Sequence, residues 1–292
     1  MATKGKLPTS PLLHNLTAAG QLLLDDLFEG QHNPLFKPFE QWVATSKPFM
    51  TFAQTYQRKI RKKVRMSRDV QETYNVYCEL RTAYLLLQEP KFAVAYEPYA
   101  KEQGRSADLA VTFRTHTTFH VEVTRLSISH QEQQLYQQEN ASSESSLENQ
   151  TDLIRRYESR RLADVVCEKF GQLSPATPNV LWVWSESRVM HELDVGQVML
   201  GLKRRAEQRD ADMFSRYGFA KPADFIRYYQ RLSAILVQSL HEQGPNRSPL
   251  WWQNKDARYP FPSKLTNRLR SLVAADISQD FTANHVEDPS GT

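Results

Sequence analysis

This chain is poor in cysteine and glycine and has no long apolar run. Its 292 residues include two cysteines, Cys78 and Cys167. They lie far apart, with no Cys-x-x-Cys spacing, which excludes a zinc knuckle and argues against a disulfide framework. A reducing, cytoplasmic compartment is the expectation. Ten glycines and the lack of a sustained heptad exclude collagen-like and coiled-coil architectures. No segment approaches the ~18 uninterrupted apolar residues of a membrane span; the best runs are Leu181–Trp184 and Ala234–Val237. Residues 1–15 lack the apolar stretch of a secretory signal. What is present is ordinary for a globular protein: 40% hydrophobic and 24% charged residues. The length suits one large domain or two small ones and allows roughly three quarters of the unfolded surface to be buried. A net charge of +4 and a pI near 8.9 are compatible with a nucleic-acid partner without pointing to one.

The spacing of apolar residues predicts helices over much of Leu12–Val64. Leu22, Leu23, Leu24 and Leu27 form a stripe closed by Gly30 and Pro34. Phe36, Phe39, Trp42 and then Phe49, Phe52, Tyr56 recur at helical spacing. The latter leads into Arg58-Lys59-Ile60-Arg61-Lys62-Lys63-Val64-Arg65, six basic residues in eight, with Ile60 and Val64 keeping one face apolar. Another helix is expected from about Asp69 to Gln88, stopped by Pro90. The period then switches to two. Strands are expected at Phe92–Pro98, Ser106–Phe113 and Phe119–Thr124, with a turn at Gly104 and a five-residue connection, Arg114–Thr118, making the last two a hairpin. His130–Gln150 is Gln-, Glu- and Ser-rich, an expected mobile insertion whose end can extend the following helix. Further helices are expected at 153–173, 193–209, 222–231 and 262–275, and strands at 179–184 and 232–240, with Trp251-Trp252 in a loop or short strand. The expected organisation is an N-terminal helical extension (1–68), an α/β domain (69–275) and a flexible acidic tail (276–292).

The polar groups that could carry chemistry cluster in this order of elements. Glu79 lies on the helix before the strands, Asp108 near the start of the second strand, and Glu122 and Thr124 on one face of the third. If Phe113 pairs with Phe119, Asp108 opposes Thr124 and is a diagonal neighbour of Glu122, ~7–8 Å away. A one-residue slip would separate them onto opposite faces. Converging carboxylates need a raised pKa or a cation. Hard cations such as Mg²⁺ favour carboxylate, carbonyl and water oxygens, so Asp108, Glu122 and the Val123 carbonyl would suit metal-assisted hydrolysis of a phosphate ester.

The segments E-L-R-T-A-Y-L-L-L, R-S-A-D-L-A-V and F-H-V-E-V-T-R-L, in this helix–strand–strand–strand order, resemble the PD-(D/E)XK nuclease superfamily over roughly residues 69–187. The resemblance implies an α/β, restriction-endonuclease-like αβββαβ core with a mixed sheet flanked by helices, here with N-terminal helical and C-terminal α/β extensions. It implies Asp108 and Glu122 as ligands of Mg²⁺ or Mn²⁺, Glu79 as an accessory acid, and basic groups from the next helix: Arg155, Arg156, Arg160 and Arg161. The expected activity is a metal-dependent endonuclease acting on nucleic acid, DNA ahead of RNA, with a homodimer as a compatible assembly. Two positions depart from the pattern. Ala107 stands for Pro, and Thr124 stands for the motif lysine. Thr offers a hydroxyl and no charge, so a replacement cation is expected from the arginine-rich helix or from residues 58–65. The alternative is a catalytically degenerate nuclease-like fold that binds nucleic acid or serves in an assembly.

Each feature also has a plainer reading. Asp108 and Glu122 would serve as surface acids of an ordinary hairpin, and Glu79 as a solvated helix residue. His120 is expected to be structural. Arg58, Lys59, Arg61, Lys62, Lys63 and Arg65 suit a phosphate-tracking surface or a solvated face. The arginines at 155–161 would pair along their helix with Glu158 and Asp164. Trp182, Trp184, Trp251 and Trp252 read as core.

Overall fold

A computed structural model describes residues 16–29, 33–98, 107–127, 147–186, 192–240 and 249–275. Gly30, Gly104, Ser106, the Gln/Glu-rich stretch before Leu147 and the acidic tail from Asp276 lie outside the described residues. The chain divides into two compact units between Gln88 and Glu89.

The first unit is helical: α1 (Ala18–Phe28), α2 (Phe36–Thr45), α3 (Lys47–Thr55), α4 (Gln57–Met66) and α5 (Val70–Leu86). The expected helical stretch forms four helices, α1–α4. Thr17, Ser46 and Asp69 side chains accept backbone N–H groups of Gly20, Phe49 and Glu72 and so start α1, α3 and α5. The core is aromatic. The Trp42 ring stacks on Tyr77 and on Tyr84, and meets Phe49 edge to face. The helix expected from Asp69 to Gln88 is α5, and it groups with α1–α4 rather than with the sheet.

The second unit is α/β, built on one six-stranded mixed sheet in the order β1-β2-β3-β4-β5-β6. The strands are β1 (Phe92–Tyr96), β2 (Leu109–Phe113), β3 (Thr117–Leu126), β4 (Asn179–Ser185), β5 (Leu232–Ser239) and β6 (Leu250–Gln253). β1, β2 and β3 form an antiparallel meander, β3, β4 and β5 run parallel, and β6 returns antiparallel. The helices are α6 (Leu147–Lys169), closed by a 3₁₀ turn at Phe170–Gln172, α7 (Glu192–Glu207), α8 (Ala211–Tyr217), α9 (Pro222–Tyr229) and α10 (Ser263–Ala275). α8 was not expected from sequence. Its signals are local: the Asp210 side chain caps its start, and Gly218, at φ +71°, ends it in the left-handed region.

Side chains alternate across the sheet, so its faces differ. Leu126, Leu181, Val183, Ile235 and Val237 pack with Leu162, Val165 and Val166 of α6, Val195 and Met199 of α7, and Phe225 of α9. On the opposite face Phe119 and Trp251 meet Phe261 just before α10, and Trp182 stacks on Trp184. All seven residues of β4 are buried, as a central parallel strand covered on both sides requires. Trp182, Trp184 and Trp251 are buried, as expected, and Trp252 is half-buried.

The β2–β3 register differs from expectation by two residues. Phe113 pairs with Thr117, not with Phe119. The reason is local: Thr117 and Thr118 join the ladder, the Thr112 and Thr118 hydroxyls share a 3.0 Å hydrogen bond, and the connection shortens to 114–116, with Arg114 at φ 56°. The shift is even, so the faces are unchanged.

Candidate active site

Continuing the observed register one position past Leu109↔Val121 sets Asp108 directly opposite Glu122, instead of the expected diagonal. Cross-strand neighbours of this kind sit ~5 Å apart. Asp108, half-buried just ahead of β2, accepts the Val123 N–H at 2.8 Å through Oδ2. This bond satisfies a β3 amide where the β2 ladder has ended. Glu122, 2% exposed, points toward the helical face. Its Oε1 lies 2.7 Å from the Lys169 ammonium at the end of α6. Thr124 is half-buried on the same face, beside Val183 of β4. The candidate site is therefore an aspartate just ahead of β2, a buried glutamate of β3 and a lysine of α6.

Lys169 was not singled out from sequence, although the signal is there. On α6 the positions 158, 162, 165 and 169 recur at four, three and four residues and share one face. Leu162 and Val165 are buried, so Lys169 follows the apolar stripe onto the sheet. A lysine at that position must pair or reach solvent. It does both, with 24% of its side chain exposed.

The other expected residues have different surroundings. Glu79, on α5 of the first unit, receives the Lys63 ammonium at 2.5 Å. Arg61 pairs with Asp26 at 2.7 Å, Arg65 pairs with Glu29, and Lys59 lies over the Tyr56 ring. Arg58 and Lys62 are exposed. On α6, Arg156 and Arg160 are exposed and Arg161 half-exposed. The expected pairing of these arginines with Glu158 and Asp164 is replaced by others. Arg155 Nε lies 3.6 Å from Asp194 of α7, and Asp164 takes Arg216 and the Tyr217 hydroxyl. Glu158 is 1% exposed, because it begins the same apolar stripe that ends in Lys169. Burial and the nearby Asp194 charge push its carboxyl up to about 7. His120 is buried, its Nδ1 3.2 Å from the Thr177 hydroxyl, and burial lowers its pKa. Arg125 points to the opposite face and pairs with Glu186 at 2.6 Å.

The donor set can be tested against a divalent cation. Asp108 and Glu122 offer hard oxygens, and a carboxylate has about four lone-pair sites, so the bonds to Val123 and Lys169 do not exhaust either group. Mg²⁺ is commonly held by one or two carboxylates, with waters and substrate phosphate completing the shell. Among the described residues no group of three His, Cys, Asp or Glu side chains gathers into a metal cage. A cation here would rest on these two carboxylates. By donor chemistry the residues fit. Among the described residues no helix is long and apolar enough to cross a membrane. No family model matches this chain, nor does any curated protein or solved structure.

Proposed function

We propose that the chain is a metal-dependent nuclease of the PD-(D/E)XK kind, in which Lys169 of α6 takes the place of the motif lysine missing at Thr124. The observation that carries this reading is the 2.7 Å contact between Lys169 Nζ and Glu122 Oε1, on the sheet face that Asp108 shares. The succession β1-β2-β3-α6-β4 within the second unit, with an antiparallel meander and a parallel β4, supports the βββαβ part of such a core; α5, the helix that would open it, belongs to the first unit.

In this mechanism Asp108 and Glu122 would hold the cation, Mg²⁺ or Mn²⁺, which would supply acidification of water and offset charge at phosphorus. The Val123 N–H fixes the Asp108 carboxylate, so its other oxygen needs no reorganisation to reach the ligand position. Lys169 compensates the buried Glu122 charge, and its partly exposed side chain would bring a cation to the scissile phosphate. There it orients the attacking water and stabilises the added negative charge. One preorganised group of this kind is worth ~10²–10³ in rate.

The test is cleavage of single- and double-stranded DNA and of RNA in Mg²⁺ or Mn²⁺. The parent is expected to cut. Glu122→Gln and Asp108→Asn, checked for folding by circular dichroism, are each expected to lose at least ~10²-fold. Thr124→Lys separates the role of Lys169 from that of the carboxylates. With the cation already supplied from α6, a second lysine should crowd the site and slow cleavage. A faster Thr124→Lys variant would remove Lys169 from the mechanism. Cleavage that survives loss of both carboxylates would overturn the whole reading. One observation favours a second reading, a nucleic-acid-binding module without chemistry: both carboxylates already have protein partners, Val123 N–H and Lys169. Binding without cleavage in every metal tested would select it.

A further inference from the structure

We infer that the corner following α9, built around Arg231, Tyr228 and Arg258, is a docking surface for a nucleic-acid backbone that leads to the Glu122–Lys169 site. The destination rests on the nuclease reading above; the surface stands on its own geometry.

A run of packed aromatic rings, with Phe170 and Phe225 buried in the core, fixes the corner relative to the C-terminal end of α6. Lys169 is followed directly by Phe170, whose ring lies 5.6 Å from Phe225 and 6.4 Å from Phe219. Phe219 in turn lies 6.1 Å from Tyr228. A second path runs through Asn179, whose side-chain Nδ2 donates to the Arg231 carbonyl at 2.9 Å. Asn179 begins β4 two positions before Leu181, the residue that pairs with Glu122. At ~3.3 Å per residue in a strand, the corner is held a short distance from the buried glutamate.

The corner presents cations on an aromatic support. The Tyr228 ring takes the Arg231 guanidinium at 4.8 Å and that of Arg227 at 5.4 Å. The Arg258 N–H donates to the Gln230 carbonyl at 2.8 Å, which brings Arg258, with its guanidinium over Tyr259, beside the end of α9. Arg227 also meets Asp224 at 3.1 Å. Arg231 and Arg258 meet no carboxylate among the described residues. The basic helix α4 differs in this respect, since three of its cations are held by acids. A guanidinium that rests on a ring keeps its N–H fork for another ligand, and that fork matches phosphate oxygens two at a time. Arg–Tyr pairs also stack on base faces without reading sequence. An acidic peptide would use the charge but not the stacking.

The test is fluorescence anisotropy of the full chain with a short labelled single-stranded DNA and its duplex, across a salt series. Arg231→Gln combined with Arg258→Gln should weaken binding at least ~10-fold. It should also flatten the dependence of log affinity on log salt by about 1.4 for the single strand and 1.8 for the duplex, as loss of two phosphate contacts requires. The double Arg→Lys variant, which keeps charge and loses the fork, should fall between. Arg204→Gln with Arg270→Gln removes the same charge from exposed helix positions and should change binding little. Equal losses in the two Gln pairs, an unchanged slope in the Arg231/Arg258 variant, or a parent that binds no nucleic acid would each overturn the inference. So would displacement by poly-glutamate as readily as by unlabelled DNA. Glu122→Gln, run alongside, keeps the two proposals apart. If it binds like the parent and cleaves at the parent's rate, the role given to Glu122 fails while the anisotropy result decides the docking surface.

Discussion

The two ends of α6 meet the same physical problem in opposite ways. Glu158 and Lys169 both project from the apolar stripe of this helix, ~16 Å apart along its axis at 1.5 Å per residue. At the C-terminal end Lys169 meets Glu122, so a buried negative charge has a positive partner at 2.7 Å. At the other end neither oxygen of Glu158 has a hydrogen-bond partner among the described residues, and the charge that acts on it, Asp194, has the same sign. A compensated buried charge can hold a reactive group in place. An uncompensated one is neutralised instead, and its cost appears as a dependence of stability on pH.

The largest effect that separates the two ends is expected at Lys169. Lys169→Met leaves Glu122 buried without its cation, which should cost ~3–5 kcal/mol of stability. Adding Glu122→Gln to that variant should return most of the loss, because the stranded charge is then gone. Urea unfolding of the parent, both single variants and the double variant gives the coupling. Additive losses would mean that the 2.7 Å contact carries no energy and that the two ends of α6 are alike.

The next effect in size belongs to Glu158. Its carboxyl is raised to about 7 from an ordinary 4.5, so the native state favours the protonated form. Its contribution to stability is therefore complete below ~pH 4.5, is lost progressively as pH rises toward 7, and stays lost above that. Each pKa unit is worth 1.36 kcal/mol, so the swing is about 3 kcal/mol. Glu158→Gln should be more stable than the parent by up to that amount at pH 8 and by little at pH 4.5. The check is the difference in melting free energy between the two proteins across this range. A constant difference at all pH values would show that Glu158 is not held neutral.

These two residues also mark how far the sequence could be read. The alternating runs at Leu109–Phe113 and Phe119–Thr124 made the hairpin and the shared face of Asp108 and Glu122 legible, because a period of two is insensitive to an even shift in register. The shift itself was not legible, since it turns on Thr117 and Thr118 joining a ladder rather than a loop. The helix period exposed Leu162, Val165 and Val166, but a stripe read only through its apolar members hides the charged residues that share it. Lys169 is hidden in the sequence for that reason, and Glu158 reads there as a surface partner of the neighbouring arginines rather than as the buried acid it is. Glu79 was legible as a helical acid, but its partner Lys63 comes from α4, a contact that depends on tertiary packing.

The smallest effect is expected on α4, where charge is dense and partly exposed. Arg61 pairs with Asp26 across side chains that keep 35% and 31% of their exposure. Pairs of this kind contribute ~0–1 kcal/mol, because solvent screens them and both side chains lose rotamer freedom. Arg61→Gln should therefore lower stability by less than ~1 kcal/mol in dilute buffer. The loss should fade toward zero near 1 M salt, where the screening length shrinks to ~3 Å. Lys169→Met should keep most of its cost in the same salt, because Glu122 is shielded from the ions. Unfolding curves at low and high salt measure both. If the two variants lose stability equally and respond to salt alike, burial does not distinguish Lys169 from a surface cation, and the contrast between a buried ion pair and a partly exposed basic face fails.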